Sequence, residues 1–288
     1  MIASQKTPKF VKTPPPAHGS HLAVSYPAKH VLQLTLNRPK SLNAMTDDLK
    51  SDLGKVLDWF ERENSLWVVV ITGNGRAFCA GQDLKNWKKK QDGGIRNEAE
   101  DMAQDTNGFA SIARRRCIKP IIAAVNGIAM GGGVEILMNC DLVVASRDAK
   151  LGLPEVKRGV VAAAGGIPRL QRIAGHQLAA ELLLTGRTIT AEEAHTRYRF
   201  VTHVVPPSQV LSTAINLAKE IASNSPDAVW STKKALLDGQ QYASLEEAVI
   251  KHNLSEESKR VYQGDNIREG LLAFSEQKRK PAWVNPKL

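Results

Sequence analysis

The segment Lys119–Asp141, KPIIAAVNGIAMGGGVEILMNCD, restricts the fold more than any other part of the chain. Its apolar run Pro120–Val125 stops at Asn126-Gly127. Three consecutive glycines, Gly131-Gly132-Gly133, then precede a second apolar run. Asn-Gly ends a strand, and the pattern beyond the glycines is helical, so the segment reads as strand, turn and helix. The charge-free stretch from Pro120 to Val134 is too short and too glycine-rich to span a membrane. A glycine turn at a helix start lets a ligand approach the backbone, and the helix supplies free N–H groups.

A second turn of this kind runs from Arg76 to Leu84 (RAFCAGQDL), after an apolar strand pattern Trp67–Thr72 that ends at Gly73-Asn74-Gly75. Neither turn fits a dinucleotide fold, because Gly131-x-Gly133 would need glycine at 136, where Ile136 stands. The Lys-Ser/Thr pair of a phosphate loop is also missing. Two readings stay open on residue types alone. Either the glycines only shape turns, or two converging amides stabilise an oxyanion on a thioester carbonyl.

The remaining pattern alternates strands and helices, which indicates an α/β chain. His30–Leu36 alternates apolar and polar positions before Asn37-Arg38-Pro39, and Leu142–Ala145 is a further strand. Thr46–Glu63 is a helix with Thr46 or Asp47 as N-cap and Leu49, Leu53, Val56, Leu57 and Phe60 on one face. Helical patterns dominate the second half, at 176–184, 190–197, 208–223, 226–238, 244–263 and near 266–277. The helix from 208 has an apolar face of Val210, Leu211, Ala214, Leu217, Ala218 and Ile221, which can pack within the chain or against another copy.

Charge and cysteine usage exclude several function classes. The 39 Lys plus Arg outnumber the 29 Asp plus Glu, giving a formal charge of +10. The excess lies at the ends: Lys6, Lys9, Lys12, Lys29, Arg38 and Lys40 before residue 47, and Lys278, Arg279, Lys280 and Lys287 after 277. The body between is formally neutral, and no basic stripe interleaved with aromatics supports nucleic-acid binding. Lys88-Lys89-Lys90 reads as a solvated face. The 3 cysteines, Cys79, Cys117 and Cys140, are too scattered for a disulfide framework or a metal site and fit a reducing compartment. Residues 1–19, with Pro14-Pro15-Pro16, read as a flexible basic arm, whose prolines oppose the amphipathic helix of a mitochondrial transit peptide.

Two glutamates sit in apolar company. Glu135 lies in the first turn of the helix after the glycine triplet, and Glu155 lies in Leu151-Gly152-Leu153-Pro154-Glu155. Such a pair could divide into a general acid and a general base if their surroundings separate their pKa values. The alternatives are a cap on its own helix for Glu135 and a surface turn for Glu155.

These segments together resemble the crotonase superfamily, the enoyl-CoA hydratases and isomerases. The resemblance rests on Asn37-Arg38-Pro39 with Leu42-Asn43-Ala44, on Phe78–Leu84, on Lys119–Asp141, and on Leu153-Pro154-Glu155 with Gly165-Gly166 and Leu170. Glu269-Gly270, Phe274 and Lys278-Arg279-Lys280-Pro281-x-Trp283 extend it, so the matches run in order over about residues 30–285. Three positions depart from the family pattern. Ala162 replaces a proline, Arg199-Phe200-Val201 stands where Gly-Leu-Val is usual, and Gln82 replaces a commonly smaller residue.

The resemblance implies an α/β fold with a repeated ββα superhelical core, here residues 20–206, holding CoA and the active site. A helical C-terminal region, 207–285, would build a homotrimer, often doubled to a homohexamer. The oxyanion hole falls on the amides of Gln82 and Gly132, and the hydratase acid and base fall on Glu135 and Glu155. CoA would lie along Arg38, Ala44, Ala80, Gln82, Asp83, Leu84, Lys85, Met130, Gly131 and Pro154. The segment Lys85–Arg116 should cover the acyl pocket, and its Gly93-Gly94 and dense charge suggest mobility. The implied activity is enoyl-CoA hydratase, adding water across the 2,3 double bond of an acyl-CoA, with no metal and no cofactor beyond the thioester substrate. The alternatives are double-bond isomerisation, another crotonase reaction such as carnitinyl-CoA dehydration, or a non-catalytic, RNA-binding member. Pro286-Lys287-Leu288 resembles a peroxisomal address, with mitochondrial or cytoplasmic location as the alternatives.

Overall fold

The computed structural model describes residues 2–92, 97–277 and 279–287. Gly93-Gly94, Lys278 and Leu288, named above, lie outside the described residues. The chain opens with a hairpin of β1 (Leu22–Ala28) and β2 (Val31–Leu36), followed by α1 (Asp47–Arg62). Three units of two strands and helix follow: β3 (Val68–Gly73) and β4 (Ala77–Cys79) with α2 (Leu84–Asp92) and α3 (Glu98–Gln104); β5 (Ile121–Val125) and β6 (Ile128–Met130) with α4 (Gly132–Asn139); β7 (Leu142–Ser146) and β8 (Lys150–Gly152) with α5 (Gly166–Ala174). Then come α6 (His176–Thr185), β9 (Thr188–Thr190), α7 (Ala191–Thr196) and β10 (His203–Val205). The second half ends in α8 (Val210–Ala222), α9 (Pro226–Gly239), α10 (Leu245–Asn253), α11 (Glu256–Gln263) and α12 (Asp265–Leu272).

Each ββα unit sends its first strand into one sheet and its second into another. The larger sheet has the order β1-β2-β3-β5-β7-β10, parallel from β2 onward, and the smaller has the order β4-β6-β8-β9. This is the repeated ββα core that the resemblance implies. The larger sheet is buried on both faces, which explains why its strands read as unbroken apolar runs. Val69, Ile71, Ile121 and Ala123 face the interior with α1, whereas Val68, Val70, Ile122 and Ala124 meet Val210, Ala214, Ala218 and Trp230 of α8 and α9. The apolar face of α8 is thus largely spent inside the chain. Complete burial of such a side chain stabilises by roughly 1.5–3 kcal/mol.

Several boundaries differ from the sequence reading for local reasons. Thr46 caps α1 by accepting from the Leu49 amide, whereas the expected helix 244–263 breaks at Leu254-Ser255, where Ser255 caps α11. Arg199, where the family pattern has glycine, takes a left-handed φ of 60°. Lys119 is fully buried and donates to the carbonyls of Phe60, Glu63 and Leu66 at 2.7–3.0 Å, so it closes the C-terminal end of α1.

The amino-terminal arm is largely exposed, as a free segment would be, but it touches the core at Gln5, Val11 and Thr13. The Gln5 amide donates to the Val24 carbonyl at 2.8 Å, and Val11 is buried. Thr13 donates its amide and hydroxyl to Glu63, and Trp59 donates its indole N–H to the Thr13 hydroxyl. Burial opposes the charge on Glu63, yet hydrogen bonds from Thr13 and Ser65 hold its carboxyl down at about 2. The carboxy-terminal tail is likewise held as far as Pro286, whose carbonyl accepts from Asn64 at 3.0 Å. Lys287 is exposed.

Candidate active site

The two glycine turns abut. A Cβ on Gly81 would lie 2.9 Å from the Met130 carbonyl oxygen and 3.7 Å from the Gly132 nitrogen. Met45 bridges to Gln82 as a parallel strand partner. Its amide donates to Gly81, and its carbonyl accepts from Asp83. That register turns the Gln82 N–H away from Met45. Gly132 is the first residue of α4, where N–H groups have no acceptor within the helix.

The glycine triplet is required by space as well as by turning. Gly131 has φ +56° and ψ −125°, a conformation that side chains disfavour. A Cβ on Gly132 would come within 2.6 Å of the Phe109 ring, and one on Gly133 within 2.2 Å of the Cys79 carbonyl oxygen. Any side chain would move α4 from β4 and from Phe109, and with them the amides.

The amide-bearing residues and both glutamates line one cavity of about 500 Å³. Glu135 is buried and accepts from the Gly166 amide at 2.9 Å, so it caps the start of α5 rather than its own helix. Burial pushes its carboxyl up to about 7, partly opposed by the Gly166 amide and reinforced by the charge of Glu155. Glu155 begins the single turn Glu155–Arg158, and burial raises its pKa too. Its Oε1 faces Gly131, 3.0 Å from where a Cβ would stand, and its Oε2 is buried without a hydrogen-bond partner. A buried oxygen of that kind, on a cavity wall, is placed to meet water or substrate. The arrangement can take a proton at one carboxyl, give one at the other, and hold negative charge at two amides.

Among the expected CoA contacts, Ala80, Gln82, Leu84, Met130, Gly131 and Pro154 line this cavity. Arg38, Ala44, Asp83 and Lys85 are not among its lining residues. Arg38 donates to the Ala44 carbonyl and pairs with Asp83 at 3.1 Å, joining the two loops that carry them. Burial disfavours the charge on Asp83, but the Arg38 hydrogen bond keeps its carboxyl low. Lys85 is exposed at the second residue of α2. Trp87, Met102, Asp105 and Phe109, within the segment Lys85–Arg116 expected to cover the acyl pocket, also line the cavity. Asp47 and Lys50 line it too, and these two the sequence reading does not assign to the site, although they stand one helical turn apart just after Ala44.

The comparisons agree with one another. The family model for enoyl-CoA hydratase/isomerase matches residues 27–286. The chain is 44% identical to a mevalonyl-coenzyme A hydratase of Aspergillus fumigatus over 92% of this chain and 95% of that protein. It is 43% identical to a mevalonyl-coenzyme A hydratase of Beauveria bassiana over 97% and 99% of the two chains. Its fold matches a crystal structure of enoyl-CoA hydratase from Mycobacterium tuberculosis with a TM-score of 0.81 and 33% identity, over 92% and 99% of the two chains. The sheet order, the site and these likenesses lead to one conclusion: the chain belongs to the enoyl-CoA hydratase/isomerase family.

Proposed function

We propose that the protein is a hydratase that adds water across the 2,3 double bond of an acyl-CoA, and removes it in reverse. One observation carries the reading: two carboxyls with raised pKa values and two glycine-turn amides line the same cavity. Glu135 takes a proton from water as its oxygen attacks Cβ. The electron pair of the double bond moves toward the thioester, whose oxygen is held by the Gln82 and Gly132 amides. Glu155 then gives a proton to Cα. Acid–base help of this kind contributes about 10²–10⁴-fold, and one oxyanion donor about 10²–10³-fold. Neither a metal nor a redox group enters, and CoA arrives as part of the substrate.

For the acyl group, the names of the two fungal relatives support mevalonyl-CoA, a 3-hydroxy-3-methyl thioester whose β-hydroxyl suits this chemistry. The cavity wall supports a short, hydroxylated chain as well, since Asp47, Lys50, Asp101 and Asp105 stand among its apolar residues. Incubation with mevalonyl-CoA, 3-hydroxybutyryl-CoA and longer 3-hydroxyacyl-CoAs, followed by the absorbance of the conjugated thioester, tests both parts. No turnover of any of them would sink the hydratase reading. Turnover with a preference for long linear chains would sink only the substrate.

Assembly and location complete the proposal. Leu236, Leu245, Leu254, Tyr262, Leu271 and Phe274 of the C-terminal region are more than 60% exposed, which supports a homotrimer or homohexamer. A monomer of 31.4 kDa by light scattering at micromolar concentration would refute it. Among the described residues, no helix is long and apolar enough to cross a membrane. Peroxisomal delivery through Pro286–Leu288 is tested by deleting Leu288 from a tagged protein, and punctate fluorescence that persists would overturn it.

A further inference from the structure

Arg169 stands outside the cavity, one turn into α5, and the reaction as described does not use it. Its side chain lies across Gly165, with Nη1 only 2.2 Å from where a Cβ on that glycine would be. Gly165 immediately precedes Gly166, whose amide holds the Glu135 carboxylate. The other guanidinium nitrogen, Nη2, donates to Asn139 Oδ1 at 2.7 Å. Asn139 is on α4, one turn beyond Glu135, and donates in turn to the carbonyls of Ile112 and Arg115. One guanidinium therefore links the helix that carries Glu135 to the turn that supplies its amide partner. The same asparagine fastens the segment just after Phe109, whose ring packs on Gly132.

We propose that Arg169, anchored by Asn139, is a positioning residue that fixes the Gly165-Gly166 turn against the Glu135 carboxylate. The inference rests on Glu135 being the base. The charged groups acting on this corner come from every side: Glu155 beside Glu135, and Arg114 and Arg172 beside Arg169. Arg169 is the cation among them that acts on Glu135 itself, in opposition to burial and to Glu155. A side chain at residue 165 would have to displace the guanidinium, and Gly165 has a φ of +107° that side chains disfavour.

The test is the pH profile of kcat/KM for hydration in wild type, Arg169→Leu, Arg169→Lys and Asn139→Ala. Loss of a nearby opposite charge shifts a carboxyl by about one pH unit. Arg169→Leu should therefore move the acid limb upward by that amount and lower the rate about tenfold on that limb, with a smaller loss on the plateau. Arg169→Lys should restore most of the limb position, because the charge remains. Asn139→Ala should lower the rate while moving the limb less. An unchanged limb in Arg169→Leu, with the chain folded by circular dichroism, overturns the proposal. If Arg169→Leu does not fold, an Arg169→Lys limb displaced as far as the loss of charge would displace it overturns the proposal instead. Glu135→Gln separates the two failures: if it hydrates like wild type, the base assignment has failed, and if it is inactive while the Arg169 variants keep the wild-type limb, only the positioning role has.

Discussion

The amide of Gly166, at the start of α5, donates to the Glu135 carboxylate of α4 at 2.9 Å. One hydrogen bond thus satisfies a free N–H at a helix start and orients the proposed base. The bond favours the ionised carboxylate, whereas burial favours the protonated one, and burial prevails with a pKa of about 7. A group poised there can give up and regain a proton near neutrality.

The first consequence is a pH dependence. Below about 7 Glu135 is protonated and cannot accept a proton from water, so kcat/KM for hydration should fall tenfold per pH unit on the acid side. The residual rate of Glu135→Gln should lack that limb. A wild-type rate that stays level down to pH 5 would contradict the assignment.

The contact of Phe109 with Gly132 gives a second test. Gly132→Ala places a methyl group 2.6 Å from ring atoms, so the ring or the amide must move. The variant should lose about 100-fold in kcat, the cost of one oxyanion donor. Adding Phe109→Ala should recover part of the loss by making room. Steady-state kinetics of the single and double variants check this.

Stability in acid tests the docked arm. Glu63 has a folded pKa of about 2 against an ordinary 4.5, so its contribution is complete above the unfolded value and fades as pH falls toward 2. Glu63→Gln should be less stable than wild type at pH 7, and the gap should narrow between pH 4.5 and 2 in denaturant titrations. Deleting residues 2–13 should remove part of the same difference, the part due to Thr13, and leave that due to Ser65.

Lys119 tests the support under the larger sheet. Lys119→Met would take one donor from three buried carbonyls, of which Phe60 and Glu63 keep a backbone N–H, from Glu63 and Leu66, at about 1–3 kcal/mol for a lost partner. The midpoint of thermal unfolding should fall by several degrees, with kcat little changed in the folded fraction.

Much of this was legible from residue order, for reasons particular segments show. Strands β3 and β5 carry five or six buried residues in a row, and α1 keeps one strict apolar face under a Thr46 cap, so period and capping identify them. Strands β4, β6, β8 and β9 have 3 residues each, too few for an alternation to register, although β4, β6 and β8 lead into the turns that form the site. Glu135 and Glu155 were readable as a pair, but the role of Glu135 in capping α5 was not. That hydrogen bond joins residues 31 positions apart. Arg38 and Asp83 read as two CoA contacts, yet they neutralise each other. Composition made the arm look free because prolines prevent helix and strand, but Thr13 and Gln5 bind the core through single hydrogen bonds that no periodicity reveals.

The central claim is that two glutamates divide the proton transfers of hydration. Steady-state hydration by Glu135→Gln, Glu155→Gln and the double variant tests it most directly, since glutamine keeps size and hydrogen bonding but loses the titrating carboxyl. Each single change should lower kcat by about 100-fold or more with little change in KM, and the double variant should lose less than the product of the two. Hydration near the wild-type rate by either single variant would contradict the account.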